Sequence, residues 1–186
     1  HGWRIPFAVQ RREQRMSGTG FEHLKALIVE DNAHMRSLLR ALLNSVGIKD
    51  VAEAAHGAAA LEILRERRSD LVLSDMAMAP MDGLEFTRQV RNSETSANPF
   101  VPIIMITGHT ERHRVEAARD AGVTEFLAKP ITAGNLFSRI ALIVERPRAF
   151  VRCESYFGPD RRRRQIDSYA GPWRRAGDFK DDDSKD

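Results

Sequence analysis

The stretch Leu71-Val-Leu-Ser-Asp75-Met-Ala-Met-Ala-Pro-Met-Asp82-Gly83 decides the fold of this chain of 186 residues. It opens with an apolar run, Leu71–Ser74, of the length expected for a buried strand. Asp75 follows directly, and after a loop the sequence Asp82-Gly83-Leu84-Glu85 has the pattern of a helix N-cap with an acidic residue three positions on. The stretch therefore predicts a strand, a loop that starts with a carboxylate, and a helix that runs to about Asn92.

The same alternation of a short apolar run and an amphipathic stretch continues on both sides, from Leu24 to Glu145. The other strands are predicted at about Lys25–Val29, Asp50–Ala54, Val101–Ile106 and Glu125–Ala128, and the other helices after Val29 and at about Ala58–Arg67, Glu111–Ala121 and Ala133–Val144. The first helix is expected to bury Met35, Leu38, Leu39, Leu42, Leu43 and Val46, and the last Leu136, Ile140, Ile143 and Val144. Five such units predict an α/β domain with a parallel sheet.

Charge divides the chain into a core and its flanks. Residues 1–20 carry a net charge of +3 and residues 146–175 carry +6, whereas residues 21–145 and residues 176–186 each carry −3. The basic flanks have little periodicity, and the second is rich in Arg, Pro and Gly, which is typical of unstructured segments. We therefore predict a disordered extension over residues 1–20, one domain over residues 21–146, and a basic, disordered tail over residues 147–186.

Composition argues against several classes of protein. No apolar run reaches the roughly 20 residues that cross a bilayer, and the single cysteine, Cys153, allows no internal disulfide. We expect a cytoplasmic protein without membrane contact. Because the chain has no glycine-rich phosphate loop and no Ser, Cys or His nucleophile arrangement, we predict no turnover enzyme. The histidines at positions 34, 56, 109 and 113 lack neighbouring Cys or paired carboxylates, which disfavours a zinc site.

Polar residues follow four of the five predicted strands: Glu30 and Asp31 the first, Asp75 the third, Thr107 the fourth, and Lys129 and Pro130 the fifth. The carboxyl ends of parallel strands meet at one edge, so these side chains should converge on one crevice. Three crowded carboxylates repel one another, and a hard divalent cation with oxygen ligands, Mg²⁺ first, relieves that repulsion. A carboxylate beside such an ion, with an ammonium and a hydroxyl nearby, is equipped for phosphoryl transfer.

In this order and spacing, the motifs resemble the CheY-like receiver domains of two-component response regulators, a bacterial signalling family. The resemblance covers about residues 22–145 and rests on Leu-Ile-Val-Glu30-Asp31-Asn32, the part Leu73–Gly83 of the opening stretch, Ile-Met-Ile-Thr107-Gly108 and Phe126-Leu-Ala-Lys129-Pro130. It implies the flavodoxin-like (βα)₅ fold, a doubly wound parallel sheet with strand order 2-1-3-4-5. It also implies a phosphoprotein that assists only its own phosphorylation and dephosphorylation.

The resemblance assigns a role to each residue of the predicted crevice. Asp75 is the phospho-acceptor, and Mg²⁺ is bound by Glu30, Asp31, Asp75 and the main-chain carbonyl of Ala77. The phosphoryl oxygens are contacted by Thr107 and Lys129. The resemblance therefore implies a magnesium-dependent acceptor carboxylate.

The resemblance also implies residues that take part in the conformational change on phosphorylation and residues that set the phosphoryl lifetime. Phe126 matches an aromatic that turns inward when the Thr107 hydroxyl moves to the phosphate, and Pro130 matches a position that is typically cis. Ala77 and His109 match the positions that tune phosphoryl lifetime. The family usually has Pro directly after Met78, whereas here Pro80 comes one place later, so a different turn is expected beside the acceptor.

Three functions stay open at this point. In the first, a histidine kinase or phosphotransfer protein phosphorylates Asp75, and an unknown downstream protein recognises the product. In the second, the Arg-rich tail, with Arg161–Arg164 and Trp173-Arg174-Arg175, binds nucleic acid as the output. In the third, the chain is a phosphate sink or relay without an output. The acidic run Asp178–Asp186 could fold back on the Arg cluster.

Overall fold

The computed structural model describes residues 3–5, 20–92, 94, 96–108, 112–153 and 156–161, with backbone alone at 3–5, 112 and 113. Within these residues the chain forms eight strands and five helices. They are β1 (Trp3–Ile5), β2 (Lys25–Val29), α1 (Ala33–Ser45), β3 (Asp50–Ala54), α2 (Gly57–Glu66), β4 (Leu71–Asp75), α3 (Gly83–Arg91), β5 (Ile103–Thr107), α4 (Arg112–Ala121), β6 (Glu125–Ala128), α5 (Ala133–Glu145), β7 (Phe150–Cys153) and β8 (Tyr156–Pro159).

Five strands form a parallel sheet in the order β3-β2-β4-β5-β6. Because β1 lies outside this sheet, the order is the predicted 2-1-3-4-5, and the flavodoxin-like fold is confirmed. Strands β4 and β5 are buried along their whole length, as their uninterrupted apolar sequences predict. The carboxyl ends of β2, β4, β5 and β6 consequently lie side by side at one edge of the sheet.

Both faces of the sheet are covered by helices, and each face has its own hydrophobic core. One core includes Leu39 and Leu43 of α1 together with Leu136 and Ile140 of α5. The other includes residues of α2 and α3, with Phe86 fully buried. Alternate residues of each strand enter opposite cores, which is the expected pattern for a sheet covered on both sides.

Two side chains predicted to be in the core are exposed. Leu38 is 47% exposed and Val144 is 37% exposed, whereas Leu39 and Ile140 are buried. Successive residues on a helix are rotated by about 100° around its axis, so the neighbour of a core residue can lie outside a narrow apolar stripe. The prediction that Leu38 and Val144 point into the core is therefore wrong.

The prediction of unstructured flanks is wrong where the structure describes them. β7 and β8 form an antiparallel hairpin, and β1 pairs with β7, which gives a second, three-stranded sheet. The two strands are rich in aromatic and apolar residues, and buried Phe150 provides the packing that an isolated hairpin lacks. Arg162 to Asp186, which include most of the predicted nucleic-acid segment and the acidic run, lie outside the described residues. None of the described helices combines the length and apolar character needed to span a membrane.

Candidate functional site

Two carboxylates and one ammonium group meet at the carboxyl edge of the parallel sheet. The Nζ of Lys129 lies 2.7 Å from Oδ1 of Asp75 and 3.9 Å from Oε2 of Glu30. The other oxygen of Asp75, Oδ2, accepts a hydrogen bond of 2.9 Å from the main-chain N–H of Ala77. The structure thus brings together residues from the ends of three strands, as the sequence predicted.

The two carboxylates are buried, so water screens the interactions between the charges of this cluster only weakly. Asp75 is 5% exposed and Glu30 is 2% exposed. Burial raises the pKa of Glu30, and the charge of Asp75 raises it further, while the N–H of Asn32 and the ammonium of Lys129 lower it. Oε2 of Glu30 is buried and makes no hydrogen bond in the described part of the chain. A buried carboxylate oxygen of this kind needs a cationic partner.

Helix N-caps hold the loops that carry these residues. The side chain of Asn32 accepts hydrogen bonds from the N–H groups of His34 and Met35, and Asp82 accepts one from Glu85. Both caps lie directly after a site loop, so the start of each helix is fixed beside the crevice. The predicted N-cap at Asp82 is confirmed.

Strands β5 and β6 position the hydroxyl and ammonium groups. Thr107 pairs with Ala128 across the two strands, and the N–H of Lys129 donates to the carbonyl oxygen of Thr107 over 2.9 Å. The hydroxyl of Thr107 lies 3.8 Å from the sulfur of Met76, and Thr107 is buried. Phe126 is half-buried and packs on a small cluster formed by Met76, Met105, Ala118 and Val123. The Lys129–Pro130 peptide bond is cis, and so is Ala79–Pro80.

Gly83 brings helix α3 into contact with the acceptor strand. A β-carbon at this position would overlap the carbonyl oxygen of Asp75, the sulfur of Met105 and the Cα of Met76. The N–H of Gly83 also donates to the carbonyl oxygen of Met76 over 3.0 Å. Only glycine permits this approach of two backbones.

We predict that Gly83→Ala lowers the free energy of unfolding by about 1–3 kcal/mol, because the added methyl group forces the helix away from β4. Chemical denaturation followed by circular dichroism measures the change. Gly134→Ala is the matched control, since a β-carbon there meets nothing within 4 Å. Equal stability of Gly83→Ala and the wild type would contradict the packing described here.

The acidic cluster is smaller than predicted. Asp31 is exposed, and among the described residues no three acidic, His or Cys side chains are close enough together to hold a metal ion. Lys129 contacts both Glu30 and Asp75, and its positive charge reduces the repulsion that was expected to require a divalent metal ion. Oε2 of Glu30, which accepts no hydrogen bond in the described part of the chain, and the carboxylate of Asp75 nonetheless offer hard oxygen ligands of the kind that Mg²⁺ takes.

Other predicted positions are distributed around this cluster. Ala77 is exposed two residues beyond Asp75, while His109 lies outside the described residues. His56 is an N-cap, because its Nδ1 accepts a hydrogen bond from the N–H of Ala59. A cavity of about 280 Å³ beside the cluster is lined by Glu30, Asn32, His34, Met35, Leu38 and Lys129. The exposed Leu38 therefore belongs to the rim of the site, which helical periodicity alone did not indicate.

Comparison with known proteins decides the family. Residues 26–141 match the response regulator receiver domain family, so the match covers more than half of the chain and every residue of the cluster. This chain is a member of that family. The receiver is 33% identical over 125 residues to the chemotaxis protein CheY-3 of Vibrio cholerae, covering 67% of this chain and 95% of that protein. It is 35% identical over 123 residues to the chemotaxis protein CheY of Pseudomonas aeruginosa, covering 66% and 98%.

Solved structures agree with this assignment. The receiver domain of a sensor histidine kinase from Pseudomonas aeruginosa is 32% identical, with a TM-score of 0.56 over 64% of this chain and 94% of that one, and it contains a magnesium ion coordinated in its active site cleft. A putative response regulator from Chloroflexus aurantiacus is 28% identical, with a TM-score of 0.60 over 66% of this receiver and 98% of that chain. Strands β7 and β8 lie beyond the residues that match the family.

Proposed function

We propose that this receiver is a response regulator of the cytoplasm, which accepts a phosphoryl group on Asp75 from a histidine kinase or phosphotransfer protein. The observation that carries the proposal is the buried carboxylate of Asp75, with the ammonium of Lys129 at 2.7 Å and the buried carboxylate of Glu30 at 3.9 Å from the same ammonium. In the proposed signalling role, a downstream protein recognises the phosphorylated form. The chain is then a signalling protein rather than a turnover enzyme.

In the proposed reaction, an oxygen of the Asp75 carboxylate attacks the phosphorus of the donor. The new oxygen–phosphorus bond forms as the bond to the donor atom breaks, and the electron pair leaves with the donor. The N–H of Ala77 holds Oδ2 in place, which orients the carboxylate for this attack. Lys129 then moves its ammonium from the carboxylate to the phosphoryl oxygens and stabilises their charge.

The magnesium ligands we propose are Glu30, Asp31 and Asp75 with the main-chain carbonyl of Ala77. When bound, Mg²⁺ neutralises charge on the phosphoryl oxygens in the transition state. Of the proposed ligands, Asp75 and Glu30 are buried side by side, and Asp31 is exposed on the adjoining loop. Burial raises the pKa of Glu30, so a cation bound nearby would stabilise its ionised form.

We further propose that phosphorylation shifts the population of two conformations. The phosphoryl group favours the active one only through contacts it makes better there, which we assign to Thr107 and Lys129. Phe126 is suited to move because it is half-buried against a small cluster rather than locked in the main core. Ala77 and His109 are proposed to set the phosphoryl lifetime.

The test is phosphorylation of the full chain by a small phosphodonor, followed by intact mass. With Mg²⁺ we expect one added phosphoryl group per molecule. Without the ion, in the presence of a chelator, we expect the rate to fall about 100-fold or more, since the metal contributes several kcal/mol to the transition state. Restoring Mg²⁺ in excess of the chelator is the control. Equal rates with and without the ion would contradict the proposed role of the metal.

A further inference from the structure

The C-terminal hairpin, β7 and β8, packs on the end of the receiver opposite the phospho-acceptor. Its contacts are with the end of α3, the loop before β5, the end of α4 and the start of β6. We call the receiver residues at this place, Arg91, Phe100, Asp120, Gly122 and Glu125, the docking surface. The site cluster lies at the carboxyl ends of β5 and β6, whereas the docking surface lies at their amino ends.

Arg91 is the centre of the docking surface. It is 4% exposed, and it donates from Nε to the carbonyl oxygen of Gly122 over 3.0 Å and from one amino group to those of Pro99 and Val101 over 2.8 and 2.9 Å. Its guanidinium lies 5.2 Å from the ring centre of Phe150 in the hairpin. Its other amino group is buried and makes no hydrogen bond within the described chain. Burial lowers the pKa of Arg91 to about 9.

Aromatic and backbone contacts complete the interface. Phe100 of the docking surface meets Phe150 and Phe157 of the hairpin edge to face, with ring centres 5.2 and 5.3 Å apart. A β-carbon at Gly158 would come within 2.9 Å of the Cα of Gly122. The two backbones therefore touch where neither has a side chain, which makes the fit specific to this hairpin.

Ion pairs lie around the aromatic contact. Arg148, just before β7, lies 3.0 Å from the buried carboxylate of Glu125, and Arg161, just after β8, lies 3.0 Å from the exposed Asp120. The guanidinium of Arg161 also stacks on Tyr156 at 4.1 Å from the ring centre. Charges on both ends of the hairpin thus pair with charges on the receiver.

Strands β5 and β6 connect the docking surface to the phospho-acceptor site. The two strands are paired from Ile104 and Glu125 to Thr107 and Ala128, and Lys129 follows immediately. The hairpin packs on Phe100, in the loop before β5, and on Gly122, just before β6, and Thr107 and Lys129 stand at the carboxyl ends of the two strands. Because protein interiors are closely packed, strain at one end of a short, hydrogen-bonded strand pair can be transmitted to its other end.

We propose that phosphorylation of Asp75 weakens the packing of β7 and β8 on the docking surface. The docked hairpin braces β5 and β6 in the arrangement that places Lys129 on the unmodified Asp75 carboxylate. A phosphoryl group draws Lys129 away from that position, so the braced arrangement and the phosphorylated one compete. The coupling rests on the proposed function, because it requires that Asp75 is phosphorylated.

Hydrogen–deuterium exchange of the full chain tests the proposal, with Mg²⁺ and with or without excess small phosphodonor. We expect amides of Phe150–Pro159 to exchange at least about fivefold faster in the phosphorylated protein, the lower end of usual coupling between two sites. Asp75→Asn with the same donor is the control and should show no change. Phosphorylated protein, verified by intact mass, with unchanged or slower exchange in the hairpin overturns the coupling and leaves the proposed function intact. Failure to gain the phosphoryl mass overturns both.

A pair of variants provides a second check. Phe157→Ala removes the aromatic contact, so hairpin amides should exchange fast in both forms and respond little to the donor. Phe137→Ala removes a partly exposed ring of α5 that packs on Phe21, which is not part of the docking surface, and should keep the response of the wild type. A full response to phosphorylation in Phe157→Ala, from a hairpin as protected as in the wild type, would contradict docking through this contact.

Discussion

Asp75→Asn is expected to abolish phosphorylation of this receiver by a small phosphodonor in the presence of Mg²⁺. The amide has nearly the same size as the carboxylate, so the fold is kept, but its oxygen is a poor nucleophile and carries no charge to attract the ion or Lys129. Intact mass after incubation with the donor measures the loss. We expect the phosphorylated fraction to fall below detection, the largest effect of any substitution considered.

Asp82→Asn is the matched control for this experiment. Asp82 lies in the same loop and caps helix α3 through its side-chain oxygen, a role that Asn can also fill. We therefore expect Asp82→Asn to accept phosphoryl groups at nearly the rate of the wild type. If Asp75→Asn still gained the mass of a phosphoryl group, another side chain would be the acceptor.

Arg91→Ala is expected to lower the free energy of unfolding by about 3 kcal/mol. The substitution removes three hydrogen bonds from a charged donor, and the carbonyl oxygens of Val101 and Gly122, which are buried, and of Pro99, which is partly buried, lose this partner. It also opens a cavity under Phe150. The expected loss is smaller than the sum of three such bonds, because burying the charge itself costs free energy.

Urea denaturation followed by circular dichroism measures this loss as a lower midpoint with an unchanged slope. Arg88→Ala, on the same helix and exposed, is the control and should change the free energy by no more than about 0.5 kcal/mol. If Arg91→Ala and Arg88→Ala had the same stability, Arg91 would not be a structural centre of the interface.

Sequence patterns were sufficient for the parallel sheet and for the meeting of Asp75, Glu30 and Lys129 at its edge. Hydrophobic runs are strongest where strands are covered on both faces, and β4 and β5 are of this kind. Once the strand ends are known, the rule that they meet at one edge brings Asp75, Glu30 and Lys129 together without any knowledge of distances. The sequence predicts that these three side chains lie close together, and in the structure Lys129 contacts both Asp75 and Glu30.

The hairpin was not predicted because its strands are only four residues long and its turn has no characteristic sequence. Cys153 pairs with Tyr156, so only Glu154 and Ser155 connect the strands, and this pair lacks the Asn-Gly type of sequence that marks a two-residue turn. Arg91 likewise resembles the basic residue that commonly ends a helix in solvent. Its burial depends on Phe150, which lies far along the chain, and local patterns carry no information on such a contact.

Charge counting overestimated the acidic cluster for a related reason. It treats Glu30, Asp31 and Asp75 as equivalent because all three follow strands. The loop after β2 turns Asp31 into solvent and leaves Glu30 buried, and Lys129 enters between the buried carboxylates. Which of two adjacent residues faces the crevice depends on loop geometry, which the sequence pattern does not specify.

The central claim is that the carboxylate of Asp75 is the group that becomes phosphorylated. Borohydride reduction of the wild-type receiver after reaction with a phosphodonor and Mg²⁺ tests it directly, because an aspartyl phosphate is reduced to homoserine. Peptide sequencing should then find homoserine at position 75 and unmodified side chains at Glu30, Asp31 and Asp82. Homoserine at another aspartate, or phosphorylated protein with Asp75 intact, would contradict the account.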